Sequence, residues 1–263
     1  MSPRSVRGAG NVSPVSDREV PEPLAAESLV PWLAARDALA VAPALLGGTI
    51  TTTTDAGSVT VRITETEAYL GERDSAAPDP GAHAFRGRTA RNAVLFGPAG
   101  HLYVYFTYGM HHCANVVCGR DGTATGVLLR AGEVIDGHDL ARRRREGGTS
   151  RAGARPAPDR DLARGPARLA RALGLHVRDN GVPIVPGVGD PRTTGRGTED
   201  ATDAVREVRV RRPERSAPDD AVSTGPRVGV SGPGGSADYP WRFWLTGDPT
   251  VSLYRPAVTR RRR

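Results

Sequence analysis

The chain has 263 residues, of which 38% are hydrophobic, so it can build one large domain or two small ones. No apolar run approaches the roughly 20 residues of a membrane-spanning helix, and residues 1–20 lack the apolar segment of a secretory signal. Its two cysteines are too few for a disulfide framework. We therefore expect a soluble cytoplasmic protein that does not bind membranes.

The net charge of +7 predicts a polyanionic partner, most simply nucleic acid, although solubility or a charged tail is an alternative explanation. All 36 basic residues are arginines, which we attribute to codon usage in a GC-rich genome. The absence of lysine has a chemical consequence, because no lysine amine is available for Schiff-base catalysis.

Residues 1–20 are polar and rich in turn-forming residues, which predicts a disordered arm, and residues 257–263 form a basic tail. Between them we predict a single domain at 21–256. The segment VAPALLGG is typical of a short helix with Pro43 near its start. The segments TITTTT and SVTVRITETEAYL then predict two strands joined by a turn.

Two acids end the second of these strands. Period-two alternation places Glu65, Glu67 and Tyr69 on the same face as three apolar residues, Val59, Val61 and Ile63. Since an unpartnered buried carboxylate is costly, either the strand runs out into solvent or the acids line a pocket. Two carboxylates about 7 Å apart are also compatible with an inverting sugar hydrolase.

Aromatic residues are only 5% of the chain, yet four fall within HLYVYFTYGMHHCANVVC, which predicts a β-hairpin that turns near Tyr108. A packed core strand explains most of them. Tyr108 beside the glycine of the turn fits that explanation poorly, and an exposed aromatic there could stack on bases or wedge between them. His111, His112 and the nearby cysteines match no strong zinc pattern, so we predict no metal and no other cofactor.

The remaining segments complete the predicted fold. GVLLRAGEVI, REVRVRRP, PRVGVS and YPWRFWLTGDPTVS are typical of strands, and GPARLARALGL of an amphipathic helix. We interpret residues 137–163 as an arginine-rich mobile loop, with a short helix over 140–146 as the alternative. The pattern predicts one α+β domain with mostly antiparallel strands.

Several motifs, in order, resemble those of the alkyladenine (3-methyladenine) DNA glycosylases without a helix-hairpin-helix. They are TETEAYLG, HAFRGRTARN, GPAGHLYVYFTYGMHHCANVV, GVLLRAGEV, RGPARLARALGL, PRVGVS and PWRFWLTGDPTVS. The resemblance spans roughly residues 24–252 and implies a compact domain with a curved sheet, surrounding helices and a protruding β-hairpin that enters the DNA minor groove. It also implies a monomer that excises alkylated purines from double-stranded DNA and, in a bacterium, works at the nucleoid.

Family roles transfer to this sequence by motif position. The resemblance implies that Glu67 is the general base that activates water, with Arg130 and the backbone of Val228 beside that water. It implies that Tyr108 fills the gap left by the flipped nucleotide, and it puts Met110 in the same intercalating group.

The base pocket follows from the same resemblance. Tyr69 and Tyr105 match its two aromatic walls, His83 matches the pocket histidine, and Asn115 matches the residue that disfavours guanine.

The resemblance implies excision of 3-methyladenine and 7-methylguanine and leaves hypoxanthine and ethenoadenine open. Because the chain has no lysine, we predict a monofunctional glycosylase that leaves an intact abasic site. A non-catalytic nucleic-acid-binding protein and a sugar hydrolase that uses Glu65 and Glu67 are the alternatives.

Overall fold

The computed structural model describes residues 28–107, 109–146, 156–186 and 203–257. They form one α+β domain with a curled mixed sheet and few helices, as predicted. The predicted arm at 1–20, Tyr108, and the predicted tail beyond residue 257 lie outside the described residues. None of the helices in the described ranges is long and apolar enough to cross a membrane.

The α-helices are short. Within the described ranges they are α1 (Leu29–Ala34), α2 (Ala38–Ala44), α3 (His138–Glu146) and α4 (Pro166–Leu173). Single 3-10 turns cover Ala93–Phe96, Asp159–Asp161, Val177–Asp179, Asp219–Ala221 and Pro233–Gly235. Helix α4 has the expected ends: a proline opens it, and Gly174 closes it in the left-handed conformation with φ 72°.

Ten strands in the described residues form one sheet. They are β1 (Thr49–Thr54), β2 (Gly57–Tyr69), β3 (Leu102–Thr107), β4 (His111–Val117), β5 (Gly126–Asp136), β6 (Ala163–Arg164), β7 (Ile184–Pro186), β8 (Val205–Arg211), β9 (Val222–Gly225) and β10 (Arg242–Leu245). The main strand order is β3-β4-β5-β2-β1-β8-β7. Only β7 and β8 pair in parallel among these strands.

Strand β2 is the centre of this sheet and carries both glutamates. Its first half pairs with β1, and its last residues pair with β10, so that Glu65 lies opposite Trp244 and Glu67 opposite Arg242. Along its other edge residues 60–69 of the strand pair with β5. The end of β2 is therefore enclosed between two strands that also carry arginines.

Apolar packing fixes this arrangement. The main core contains the three apolar residues that precede the glutamates on β2, together with the buried faces of α1, α2 and α4. On β3, alternate residues divide between two clusters: Leu102 and Val104 join the main core, while Tyr103 joins a smaller cluster with Ala84 and Phe96. The smaller cluster supports the long loop between β2 and β3.

Three sequence predictions are corrected here. Pro43 lies in the last turn of α2 rather than near its start, because Asp37 caps the helix by accepting from the Ala40 amide at 3.0 Å. Within the predicted mobile loop at 137–163, residues 138–146 form helix α3, the alternative considered for it, and residues 147–155 lie outside the described residues. The predicted strand PRVGVS is a turn in which Gly229 has φ +73°.

Candidate functional site

The two glutamates of β2 are completely buried, so the interpretation that the strand runs out into solvent is wrong. The register of β2 against β5 shifts on both sides of Glu65, which marks an irregularity at this point of the strand. Both carboxylates nevertheless meet the same arginine, Arg130 of β5, and therefore lie on one side of the sheet.

Glu67 is surrounded by donors. Its Oε1 accepts from the backbone N–H of Val228 at 2.7 Å, and its Oε2 accepts from the Tyr69 hydroxyl at 2.8 Å. Arg130 Nη1 lies 3.2 Å from Oε1. Because each of these groups donates, the arrangement suits an ionised carboxylate.

Glu65 is held more tightly. Its Oε1 accepts from Arg130 Nε at 2.8 Å, Arg242 Nε at 2.7 Å and the Ser252 hydroxyl at 2.9 Å, and its Oε2 accepts from the Ser252 amide at 2.8 Å. We call Glu65, Arg130, Arg242 and Ser252 the Glu65 cluster. Burial alone would raise the pKa of Glu65, but the charges of Arg130 and Arg242 lower it below its ordinary value.

Arg130 links the two acids, since one guanidinium contacts both Glu65 and Glu67. Burial opposes its charge, but the two glutamates outweigh burial and raise the pKa of Arg130 above its ordinary value. Arg130 is therefore a permanent cation at the floor of the site.

A cavity of about 420 Å³ opens beside Glu67. Seven of the residues predicted from the sequence line it: Glu67, Tyr69, His83, Tyr105, Asn115, Arg130 and Val228. Glu65 does not line the cavity; its carboxylate is used within the Glu65 cluster. Small-molecule sites commonly have this size and combine apolar walls with a few directed polar groups.

Rings form one wall of the cavity. His83 meets Tyr105 edge to face with the ring centroids 4.5 Å apart, and Tyr103 stacks on Tyr105 at 5.4 Å. His83 Nδ1 also lies 3.1 Å from the Tyr103 hydroxyl. Burial and, to a smaller extent, the charge of Arg91 lower the pKa of His83, so the neutral imidazole is favoured at neutral pH.

Tyr69 combines a ring with a polar contact. Burial and then the negative charge of Glu67 raise the pKa of Tyr69 well above its ordinary value, so its hydroxyl stays protonated and donates to Glu67. Burial likewise raises the pKa of Tyr105 well above its ordinary value. Both phenols are therefore neutral walls of the cavity.

The remaining predicted residues lie at different places. Asn115 is buried on β4, where its Nδ2 donates to the Tyr103 carbonyl at 3.2 Å. Met110 does not line the cavity and is 69% exposed, next to β4. Tyr108, the predicted wedge, lies outside the described residues, although Thr107 and His111, nearby in the chain, line the cavity.

Sequence reasoning missed the supports of the site. Arg242 and Ser252 hold Glu65 from positions 177 and 187 residues away in the chain, and no local pattern connects them to it. The place of Tyr103 beside the cavity could have been predicted, since alternation puts it on the same strand face as Tyr105. Arg227, next to Val228, is completely buried and covers the Tyr69 ring at 4.5 Å.

Comparisons with a family model and with known proteins point to the same family. Residues 32–249 match the family model described as methylpurine-DNA glycosylase. A protein of Streptomyces avermitilis is 49% identical over 229 residues, which is 87% of this chain and 92% of the relative. A protein of Leifsonia xyli subsp. xyli is 47% identical over 82% of this chain and 88% of the relative, and one of Mycobacterium tuberculosis is 46% identical over 83% and 90%. All three relatives carry the name "Putative 3-methyladenine DNA glycosylase".

Proposed function

The chain belongs to the methylpurine-DNA glycosylase family, and from this premise we propose that it excises 3-methyladenine and 7-methylguanine from double-stranded DNA. It is a DNA glycosylase of DNA repair. The observation that supports the substrate and the chemistry is a buried carboxylate, Glu67, at the side of an aromatic-walled cavity.

We propose that the target base leaves the duplex to reach the cavity. A carboxylate buried inside the protein cannot reach a glycosidic bond inside stacked DNA, so the nucleotide must be flipped into the pocket. We propose that the purine stacks between Tyr69 and Tyr105. A base methylated at N3 or N7 is cationic as a nucleoside and gains from the ring faces on both sides.

The proposed reaction is a hydrolysis. The bond between C1′ and the purine nitrogen breaks, and its electron pair leaves with the base, which is neutralised because it was cationic. Glu67 takes a proton from water, whose oxygen bonds to C1′, and its negative charge stabilises the developing oxocarbenium ion. Arg130, 3.2 Å from Glu67, keeps the carboxylate oriented, and the Val228 N–H fixes its Oε1.

Specificity is proposed to come from Asn115. A side chain buried at this position in the cavity wall would clash with the 2-amino group of guanine bases. Because 7-methylguanine carries the same amino group, we expect it to be released more slowly than 3-methyladenine. Undamaged guanine lacks the positive charge that makes the methylated base a good leaving group.

We also propose that the enzyme is monofunctional and acts as a monomer. Strand cleavage by a glycosylase commonly needs an amine that forms a Schiff base, and the sequence contains no lysine. The proposal of a monomer follows from the family resemblance.

The sugar-hydrolase alternative is less well supported. It requires two carboxylates that both face the substrate, whereas Glu65 does not line the cavity and is bound by two arginines and a serine. Nonspecific DNA binding relies on cationic groups and does not explain a carboxylate buried beside a cavity of this size.

The experiment is base release from methylated duplex DNA by the wild-type protein, with the free bases separated by chromatography and identified by mass. We expect 3-methyladenine and 7-methylguanine, and intact strands until alkali is added. DNA binding without release would favour the binding-protein alternative. Strand breaks without alkali would refute the monofunctional assignment, and hydrolysis of polysaccharides alone would favour the sugar hydrolase.

A further inference from the structure

A further buried ion pair, separate from the Glu65 cluster, lies behind the cavity wall. Arg227 Nη1 and Nη2 donate to Asp79 Oδ2 and Oδ1 at 2.6 and 2.7 Å, and both side chains are fully inaccessible to solvent. Burial opposes the charge of Arg227, yet the hydrogen bond to Asp79 and the neighbouring groups raise its pKa above the ordinary value. A buried pair adds little net stability, but its hydrogen bonds hold the groups around it in a fixed geometry.

The guanidinium of Arg227 joins the segments that carry the site. It donates to the Ala68 carbonyl, between Glu67 and Tyr69, at 3.0 Å. Its backbone continues directly into Val228, the residue whose N–H holds Glu67. The same side chain therefore fixes the end of β2 against the turn whose Val228 N–H contacts Glu67, the proposed general base.

Asp79 extends this connection to the loop that carries His83. Its Oδ2 accepts from the Leu70 amide at 3.0 Å, and its Oδ1 accepts from the Gly81 amide at 2.8 Å. The Asp79 carboxylate thus fixes the start of the His83 loop to the residue that follows Tyr69. Together, Arg227 and Asp79 contact three segments of the cavity wall.

The packing around Arg227 leaves little freedom. The guanidinium covers one face of the Tyr69 ring at 4.5 Å, and Trp241 lies 5.1 Å away. It also donates to the Gly234 carbonyl at 2.6 Å, and a Cβ on Gly81 would lie only 2.3 Å from Nη2. Arg227 does not line the cavity, so it acts on a bound base only through Tyr69 and the backbone.

We propose that Arg227 and Asp79 are a positioning pair that sets Tyr69, the His83 loop and the Val228 N–H relative to Glu67. The inference rests on the proposed function. The positioning role requires the planar, forked guanidinium of Arg227. Only a guanidinium can bind the Asp79 carboxylate with two nitrogens while it covers the Tyr69 ring and donates to two carbonyls. Loss of the fork lowers the rate of base release without weakening the binding of DNA.

The test is chemical rescue. Single-turnover release of 3-methyladenine is measured for wild type and Arg227→Ala, with ethylguanidinium or ethylammonium added, and affinity is measured on duplex DNA with an abasic analogue. Since a displacement of about 1 Å can slow an enzyme by about 100-fold, we expect a loss of about that size in Arg227→Ala. Ethylguanidinium should restore part of the rate, and ethylammonium should not.

Arg227→Lys keeps the charge without the fork and carries the test if the alanine variant does not fold; we expect it to lose a similar factor. Arg144→Ala is the matched control, because Arg144 is also buried and paired with an aspartate, Asp203. Arg144 does not line the cavity, and in the described part of the chain its side chain makes no hydrogen bond to a residue that lines it. At a temperature where each variant is folded, this control should release the base at the wild-type rate.

The outcomes separate the two proposals. No release by wild type overturns the proposed function and this inference with it. Full activity in Arg227→Lys and Arg227→Ala, or equal rescue by both cations, overturns the inference alone. A loss of DNA affinity equal to the loss of rate does so as well, because it would mean that the pair serves general stability.

Discussion

Replacing Glu65 by glutamine removes one negative charge from the Glu65 cluster and leaves Arg130 and Arg242 buried without it. Both guanidiniums lie within hydrogen-bonding distance of Glu65, at 2.8 and 2.7 Å, and neither residue is more than 5% exposed. Removal of one partner from a buried ion pair costs about 3–5 kcal/mol of folding free energy. At about 2–4 °C for each kcal/mol, the melting temperature should fall by about 6–20 °C.

The matched control is Glu133→Gln. Glu133 pairs with Arg62 at 2.8 Å, a distance like those in the Glu65 cluster, but its side chain is 48% exposed. Exposed pairs contribute about 0–1 kcal/mol, so this variant should unfold close to wild type. The comparison therefore separates the effect of burial from the effect of distance.

The pH dependence of the Glu65 effect has a definite sign. Its pKa is lowered in the folded protein because Arg130 and Arg242 outweigh burial. The ionised carboxylate therefore stabilises the fold fully above its unfolded pKa, about 4.3, and this contribution is lost as the pH falls through the folded value. The difference in unfolding free energy between wild type and Glu65→Gln should be largest at neutral pH and narrow in acid.

The assays are thermal unfolding, which gives the melting temperature, and denaturant unfolding, which gives the free energy, of wild type and both variants at neutral pH and in a series below about pH 4. Glu65→Gln with the same stability as Glu133→Gln would refute the reasoning from burial. A difference from wild type that does not change with pH would refute the assignment of the effect to the ionised carboxylate.

Three further predictions concern the cavity. Tyr69→Phe keeps the ring but loses the hydrogen bond to Glu67, so single-turnover base release should fall by about tenfold; an unchanged rate would show that the bond is not needed. Asn115→Ser should raise the release of 7-methylguanine relative to 3-methyladenine in a competition assay, and an unchanged ratio would contradict the proposed clash. Tyr108→Ala should impair base flipping, followed by the fluorescence of a base analogue, while salt-sensitive nonspecific binding persists; unchanged excision kinetics would count against the wedge.

The local part of the site was predictable from sequence. Alternation along β2 placed Glu65, Glu67 and Tyr69 on one face with core residues but left open whether the acids are exposed or buried, and the structure shows both acids buried. Alternation also grouped Tyr103 with Tyr105, whose rings stack. Period-two geometry follows from the backbone, so it holds wherever a strand runs without a bulge.

The long-range part was not predictable from these patterns. Val228 contacts Glu67 although the two residues are 161 positions apart in the chain. The segment PRVGVS has the composition of a strand, but it forms a turn at Gly229. Alternation also could not distinguish the two acids. Glu65 is hydrogen-bonded by Arg242 and the rest of the Glu65 cluster, while Glu67 faces the cavity. This difference arises because strand β10, which carries Arg242, pairs with β2.

The most direct measurement of the central claim is the single-turnover rate of 3-methyladenine release by Glu67→Gln. Glutamine keeps the size of the side chain but cannot take a proton from water, and a general base contributes about 10²- to 10⁴-fold. We predict a loss within that range, with affinity for abasic-analogue DNA unchanged and with Glu133→Gln fully active. A Glu67→Gln protein that releases the base at nearly the wild-type rate would contradict the account.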